Sequence, residues 1–252
     1  MLMIMEKRNR GSQILASILV NAIYAMVNYP IVLISTLLAP FSLLIVITFV
    51  SHGALLPIAI GGALIMTIIG AGTSLQQDLS HLKNDFKLQD MIVSSPTTAR
   101  MYLAGMAASE IIYSLPALLV LAALAGLYIS APAIAFLEIV AVLAVMFVFS
   151  VSLGFLLSTF TSDVVQSWAF AGIVSTVLSA LPPVYYPISY IPQPLQYLAY
   201  LSPATYAAEI LQNAIGAVTF SSYSIAVDWL VIVAIAAVMA FLAIRKSKWR
   251  ED

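Results

Sequence analysis

An all-α membrane protein with six transmembrane helices is the fold class this sequence predicts, and three observations carry it. Of 252 residues, 62% are apolar and 8% are Asp, Glu, Lys or Arg. An average soluble domain carries roughly 25% charged residues, and so few charges cannot keep a soluble surface of this size in water. Six runs come close to the about 20 apolar residues that cross a hydrocarbon core: 31–50, 54–75, 101–127, 135–158, 167–186 and 226–244. All ten basic residues fall outside those runs, in three groups. These are Lys7, Arg8 and Arg10, then Lys83, Lys87 and Arg100, then Arg245, Lys246, Lys248 and Arg250. Six spans put all three groups on one side, which the positive-inside rule makes cytoplasmic. The expected location is the cell membrane, multi-pass, with both termini cytoplasmic and one membrane domain over 1–252. A soluble enzyme, a nucleic-acid binder and a disordered chain are excluded. The lack of cysteine removes disulfides, Cys–zinc sites, iron–sulfur centres and thiol catalysis.

Residues 10–29 come first in the chain. Ser17, Asn21, Tyr24 and Asn28 recur at helical steps, with Ile14, Leu15, Ile18, Leu19, Ala22, Ile23 and Met26 opposite. Such a two-faced helix is expected to lie in the membrane surface. A basic stretch before an apolar one also resembles a signal peptide. Counting it as a span, however, gives an odd number and breaks the charge pattern.

Spans 31–50 and 54–75 carry no charge, and the glycines at 61, 62, 70 and 72 are read as packing glycines. Segment 76–100 is polar. Leu79, Leu82 and Phe86 stand at i, i+3, i+7, so a short amphipathic helix with one apolar face is expected. Pro96 closes it, since the residue before a proline is disfavoured in helix. Such a helix wants the lipid surface or a protein partner. Its charges Asp78, Lys83, Asp85, Lys87 and Asp90 suit the polar rim of a docking contact.

Span 101–127 contains Glu110, the one acid placed deep in a run; Glu138 and Asp228 lie near the ends of theirs. An ionised acid within a span is costly, about 2.5–3.5 kcal/mol for Asp on insertion scales. Glu110 must therefore be protonated, wet, or bonded to groups such as Tyr113 or Ser114. Small residues repeat every four positions in two spans. They are Ser150, Gly154 and Ser158 in 135–158, and Ser167, Ala171, Ser175 and Ser179 in 167–186. Close helix packing explains both ridges, while Ser175 and Ser179 could also border a transport path.

Segment 187–225 is too apolar for a soluble loop and too broken by proline for a span. Seven tyrosines cluster at or beside it, and tyrosine rings prefer the membrane–water boundary. Ser202 before Pro203 reads as a helix cap with proline at the first helical position, and Gly216 can end that helix. Two short helices that dip into the outer leaflet and return are expected, covered by protein or facing a wet cavity.

Catalytic and metal signatures are absent. His52 and His81 fall on opposite sides of the membrane in this topology. There is no Glu-x-x-His, no G-x-S-x-G and no G-x-x-x-x-G-K-[ST], so the chain has no P-loop route to ATP hydrolysis. A secondary transporter or channel remains open, but it wants coupling acids or charge rings near the midplane, often in two similar halves. Glu110 alone answers that description. A membrane-embedded enzyme would need a nucleophile and a base in reach.

Two stretches resemble the type-2 ABC exporter permease family. One is Leu88-Gln89-Asp90-Met91-Ile92-Val93-Ser94-Ser95-Pro96-Thr97-Thr98, similar to the family's acid, apolar run, Ser/Thr-Pro and small residues. The other is Tyr185-Tyr186-Pro187-Ile188-Ser189, Ile191-Pro192, Leu195-Gln196 and Leu201-Ser202-Pro203-Ala204-Thr205-Tyr206. It is similar to the family's aromatic-Tyr-Pro, Leu-Pro, Leu-Gln and Asn/Ser-Pro-x-Thr-Tyr string. The resemblance implies a permease of six spans with an interfacial helix, a coupling helix and a re-entrant outer segment. It implies a second copy of the permease, or a related one, as partner, and a separate ABC ATPase subunit that holds ATP and Mg. The chain itself would carry no cofactor and no catalytic residue. Leu79, Leu82, Phe86, Asp90 and Pro96 would couple to the ATPase. Tyr185, Tyr186, Pro187, Pro203 and Tyr206 would form an outer gate. Glu110, Ser175 and Ser179 are pathway candidates for export. The resemblance selects no substrate among drugs, lipids, lipid-linked polysaccharides and ions.

Overall fold

The computed structural model describes residues 10–84, 99–161 and 163–246, and no strand occurs among them. Helix α1 (Arg10–Ile18) runs through a π turn (Leu19–Ile23) into α2 (Tyr24–Asn28). Tyr29 leaves helical geometry and Pro30 starts α3 (Pro30–Val50), its missing N–H harmless at a first helical position. Then come α4 (Leu56–Asn84), α5 (Ala99–Tyr128), α6 (Ala133–Ser158) and α7 (Val164–Ala180). A 3₁₀ turn (Ile188–Tyr190), α8 (Gln193–Ala199), α9 (Pro203–Ala214) and α10 (Ser222–Lys246) complete the chain.

The apolar runs map onto helices with informative differences at their ends. α4 continues unbroken through 76–84, where the sequence predicts a separate element. Its helical period simply carries on past the last apolar residue. α7 starts earlier than predicted because Asp163 caps it, accepting a hydrogen bond from the Gln166 N–H at 2.7 Å. It also stops earlier, at Ala180, because Pro182 and Pro183 cannot continue a helix. Five helices are long and apolar enough to cross a membrane, Gly11–Asn28 among them, and α7 is shorter than the usual span. Length and composition thus leave Gly11–Asn28 able to cross as well as to lie in the surface.

α4 is the hub. It packs on α3, α5, α6, α7 and α9, while α6 also packs on α10 and α9. From Ile58 to Ile65 every α4 residue is buried. The closest seam is α4 on α6. A Cβ on Gly72 would stand 2.2 Å from the Ser150 carbonyl oxygen, and one on Gly154 would stand 2.1 Å from that of Gly72. Ser150 Oγ donates to the Ile69 carbonyl at 2.9 Å and accepts from the Gly72 N–H at 3.0 Å. The ridge of small residues in α6 therefore does pack, and its serine ties the two backbones together. Gly61 and Gly62 are packing glycines too, against Leu211 and the Val184 carbonyl. Gly70 is not: nothing lies within 4 Å of the position its Cβ would take.

One large apolar cluster fills the bundle around Ile60, Ile65, Val142, Met146 and Leu211. A second sits near the Asn84–Ala99 end, around Leu75, Met106, Phe155 and Ala243. We call this the near end. Residues 181–221 form the far end, where Pro187, Tyr190 and Ile215 share a cavity with Leu55, Pro57 and Tyr128. The exterior is strongly apolar, with Val27, Phe49, Leu127, Val165 and Leu230 among its exposed side chains. That is a surface for lipid, not water.

Candidate functional site

The near end brings together side chains that the sequence keeps apart. Ser74 and Asp78 stand four residues apart on α4, and His81 continues the stripe. Tyr102, Glu110 and Tyr113 fall on a common side of α5 at spacings of eight and three. Where the two helices meet, the carboxyls of Asp78 and Glu110 lie close enough to interact, and Ser74 lies near Glu110. Tyr102 lies close enough to interact with Asp78, and Tyr113 with both carboxyls. Glu110 is 4% exposed, and its Oε2 is buried without a hydrogen-bond partner. Asp78 reaches the exterior of the protomer. Glu110 is thus one of a pair, not the lone acid the sequence suggests. The signal was present in the helical spacing of Ser74, Asp78 and His81, hidden by ending the span at residue 75.

The near half of α4 is also where its burial breaks. Gly70, Asp78 and His81 are exposed, and Thr73, Ser74 and Gln77 are half-buried. α7 runs antiparallel beside this stretch. Gln76 Nε2 donates to the Ser167 carbonyl at 3.1 Å, and Ser80 Oγ to that of Asp163 at 3.4 Å. That register brings the middle of α7 level with Gly70. Ser167 and Ala171 are buried against α4, so the first half of the α7 ridge packs. Ser175 and Ser179 are half-buried, and Ser179 Oγ donates to the carbonyl of Thr176 in its own helix at 3.2 Å.

The N-terminal helix meets α5 along a mixed face, with Ala22 buried, Ile14 and Ile18 half-buried, and Tyr24 and Asn28 exposed. Its polar residues Ser17 and Asn21 face α5: Ser17 Oγ lies 3.4 Å from Ser109 Oγ, and Asn21 Nδ2 donates to Met106 Sδ at 3.3 Å. Gly105 makes room for Ser17. Leu15, Leu19, Val20 and Val27 are exposed instead. In an apolar solvent polar side chains such as Ser17 and Asn21 are the ones that gain most from a protein partner.

At the far end Tyr185 is buried in the main cluster, while Tyr186, Pro187 and Tyr206 are half-buried. Gln212 ties the loop to α9, Nε2 donating to the carbonyls of Tyr186 at 3.2 Å and Pro183 at 3.3 Å. Ser202 caps α9, accepting from the Ala204 N–H at 3.3 Å with Pro203 at the first position, as the sequence predicts. Tyr200 Oη donates to Glu209 Oε1 at 2.8 Å, and Tyr206 Oη to the Tyr200 carbonyl at 3.0 Å. Burial pushes the Glu209 carboxyl up to about 7; the Tyr200 hydrogen bond opposes that rise and nearby Asp228 adds to it. Sequence reading missed Glu209, which sits in a helix too short to flag as a span. A second far-end cavity of about 520 Å³ is lined by Leu181, Tyr186, Tyr190, Pro192, Leu195 and Leu198, among others.

Of the expected coupling residues, Leu79 and Leu82 lie in the last turns of α4, packed against the near-end cluster of their own chain. Phe86, Asp90 and Pro96 lie outside the described residues. Among the described residues no group of three or more His, Cys, Asp or Glu could hold a metal ion. The profile of a protein family described as ABC-2 type transporter matches residues 13–216. No curated protein matches the chain.

Proposed function

The chain belongs to the ABC-2 type transporter family, and from that premise we propose that it is the membrane half of an ATP-driven exporter, working as a dimer on separate ABC ATPase subunits. As a permease component it is not itself an ATPase. The observation that carries the reading is the hub helix. α4 is buried along its far half, yet along its near half it turns Gly70, Asp78 and His81 to the outside of an otherwise apolar protomer, with Thr73 half-buried beside them. A polar face in lipid is costly and is found facing a bundle interior or a water-filled cavity. A second copy facing the first across α4 and α7 would enclose such a cavity, with Ser175 and Ser179 at its border. Tyr185, Tyr186, Pro187, Pro203 and Tyr206 would close it at the outer side, with Asn84 and Ala99 toward the cytoplasm. The positions of the ten basic residues support that orientation.

Coupling then falls to segment 76–100. Leu79 and Leu82, partly buried against the near-end cluster, and Phe86 offer the apolar face to an ATPase groove, with Asp90 at its rim and Pro96 as a stiff corner before α5. Burying a phenylalanine in such a contact contributes roughly 1.5–3 kcal/mol. Phe86→Ala should weaken ATPase association about ten- to hundredfold while the permease inserts normally. Affinity purification of the tagged permease from its native membrane, followed by ATP-dependent export in vesicles, tests the whole reading. A permease that carries substrate with no ATPase bound would refute it.

A further inference from the structure

We infer that the far-end cavity of about 520 Å³, between the end of α7 and α8, is a binding site for one acyl chain of a membrane phospholipid, chosen by the fit of its tail and not by its headgroup. The site rests on the geometry of the far end and does not depend on the permease reading above.

Lipid is what surrounds this cavity. Residues 181–221 contain one charged side chain, Glu209, and it is buried. Leu195, Tyr197, Leu198 and Leu201 stand 47–78% exposed. Water offers such a surface little, whereas the boundary region of a bilayer accepts both the leucines and the tyrosine. On α7, Ile173 and Val177 are exposed one helical turn apart, and the next step of four reaches Leu181, which lines the cavity. An apolar track on the outside of α7 therefore leads into the cavity.

The walls suit a hydrocarbon chain. Leu181, Ile191, Leu195 and Leu198 line the space together with Tyr186 and Tyr190, and no charged side chain does. The two tyrosine rings stack with centroids 6.4 Å apart and planes 23° apart, which makes one flat wall. A buried water wants about 2–4 polar partners, so an apolar space far larger than the ~30 Å³ share of one water is a poor place for water. Left empty, its walls forfeit dispersion contacts. α8 forms the roof and is held by polar bonds at its ends. Thr205 Oγ1 donates to the Ala199 carbonyl and Tyr206 Oη to the Tyr200 carbonyl, while Gln196 Nε2 donates to the Ile191 carbonyl at 2.8 Å. Ala199 is the buried residue of α8, so Leu195 and Leu198 are left to meet a ligand. In lipid no water is expelled, and van der Waals fit to these walls is what favours a bound chain over a bulk one. All ten basic residues lie outside 181–221, so nothing in the segment reads a phosphate.

The test uses the full-length permease in nanodiscs of phosphatidylcholine that carries a diazirine in one acyl chain, with the labelled residues mapped by mass spectrometry. Labelling should concentrate on Tyr190, Leu195 and Leu198, about tenfold above Leu230 on the exposed side of α10. Labelling no denser there than at Leu230 would overturn the site. Leu195→Trp with Leu198→Trp fills the cavity from its roof and should lower labelling of Tyr190 about tenfold. Undiminished labelling of Tyr190 in a folded double variant would overturn the site too, and the wild-type map decides if that variant does not fold. The same diazirine chain on phosphatidylglycerol should label equally well; a strong preference for either headgroup would replace tail fit by charge recognition and overturn the proposal. A second copy of the chain is the competing occupant. Crosslinking of Leu195→Cys to its counterpart by a short bis-maleimide, with Tyr190 unlabelled by lipid, would give the cavity to the partner protomer.

Discussion

His52 has φ 51°, the left-handed geometry that side chains with a Cβ resist, and the reason lies in the end of α3. The Gly53 N–H reaches back to the Thr48 carbonyl at 2.8 Å and the His52 N–H to that of Phe49 at 3.2 Å. This is the paired closure in which the residue after the cap turns left-handed. The end of α9 is built the same way, with Gly216 at φ 70° and the Ala217 N–H on the Gln212 carbonyl at 3.0 Å. One closure thus uses glycine and the other strains a histidine. His52→Gly should therefore stabilise the protein, by about 0.5–1 kcal/mol once the extra flexibility of unfolded glycine is subtracted from the relieved strain. Gly216→Ala should destabilise it by about 1 kcal/mol. Thermal unfolding in detergent should move the two variants in opposite directions; a shared direction would remove strain as the explanation. Gly216 was legible as a helix stop because glycine follows a helical run. His52 was not, since its conformation is dictated by Gly53 and Thr48. Asp78 was legible only in part: the spacing of Ser74, Asp78 and His81 continues the helix, but Glu110 lies on another helix and no sequence period joins the two carboxyls.

Between residue and molecule, the far-end segment behaves as one element. Gln212 holds its loop, the rings of Tyr200 and Tyr206 meet at a tilt of 50° with centroids 5.5 Å apart, and Glu209 beside them is buried, 2% exposed. An acid whose ordinary value is 4.5 and whose folded value is about 7 keeps its proton in the fold where the unfolded chain has lost it. Below about 4.5 both forms are protonated and the contribution is fully present; it is lost as pH rises through about 7. The size is roughly 3 kcal/mol at most. The melting temperature should fall between pH 5 and pH 8, and Glu209→Gln should flatten that fall. An equally steep fall in the variant would assign it to another group. The element was legible as two short helices from Pro203, Gly216 and the proline run, but its tyrosine–carboxyl core was not. That core depends on a meeting of α8, α9 and α10 that local pattern does not encode. The N-terminal helix shows the same limit: its two faces were plain in the sequence, yet which face the protein covers was settled by Gly105, Met106 and Ser109 on α5.

For the whole molecule, the balance of surfaces decides how copies assemble. Most of the exterior can meet lipid, as on α10, where Leu230, Val233 and Phe241 point outward. The face of α4 beside α7 cannot do so cheaply, since it carries Asp78 and His81. The register of Gln76 on Ser167 and Ser80 on Asp163 sets Gly172 and Thr176 of α7 level with Gly70 of α4. All three are exposed, and Gly70 and Gly172 have open space where a Cβ would stand. Small residues at an open, half-polar face let two helices approach closely, and van der Waals packing then drives their association in lipid. The dimer should therefore form across this face and not across α10. The chain has no cysteine, so single cysteines report cleanly. Thr176→Cys should give a crosslinked dimer with a short bis-maleimide in native membranes, whereas Leu230→Cys should stay monomeric. Asp78→Asn should leave the crosslink in place, because the contact proposed there is packing around a wet cavity, not an ion pair between copies. Crosslinking through Leu230 but not Thr176 would move the interface to α10, and the polar stripe of α4 would then have to face water within a single protomer.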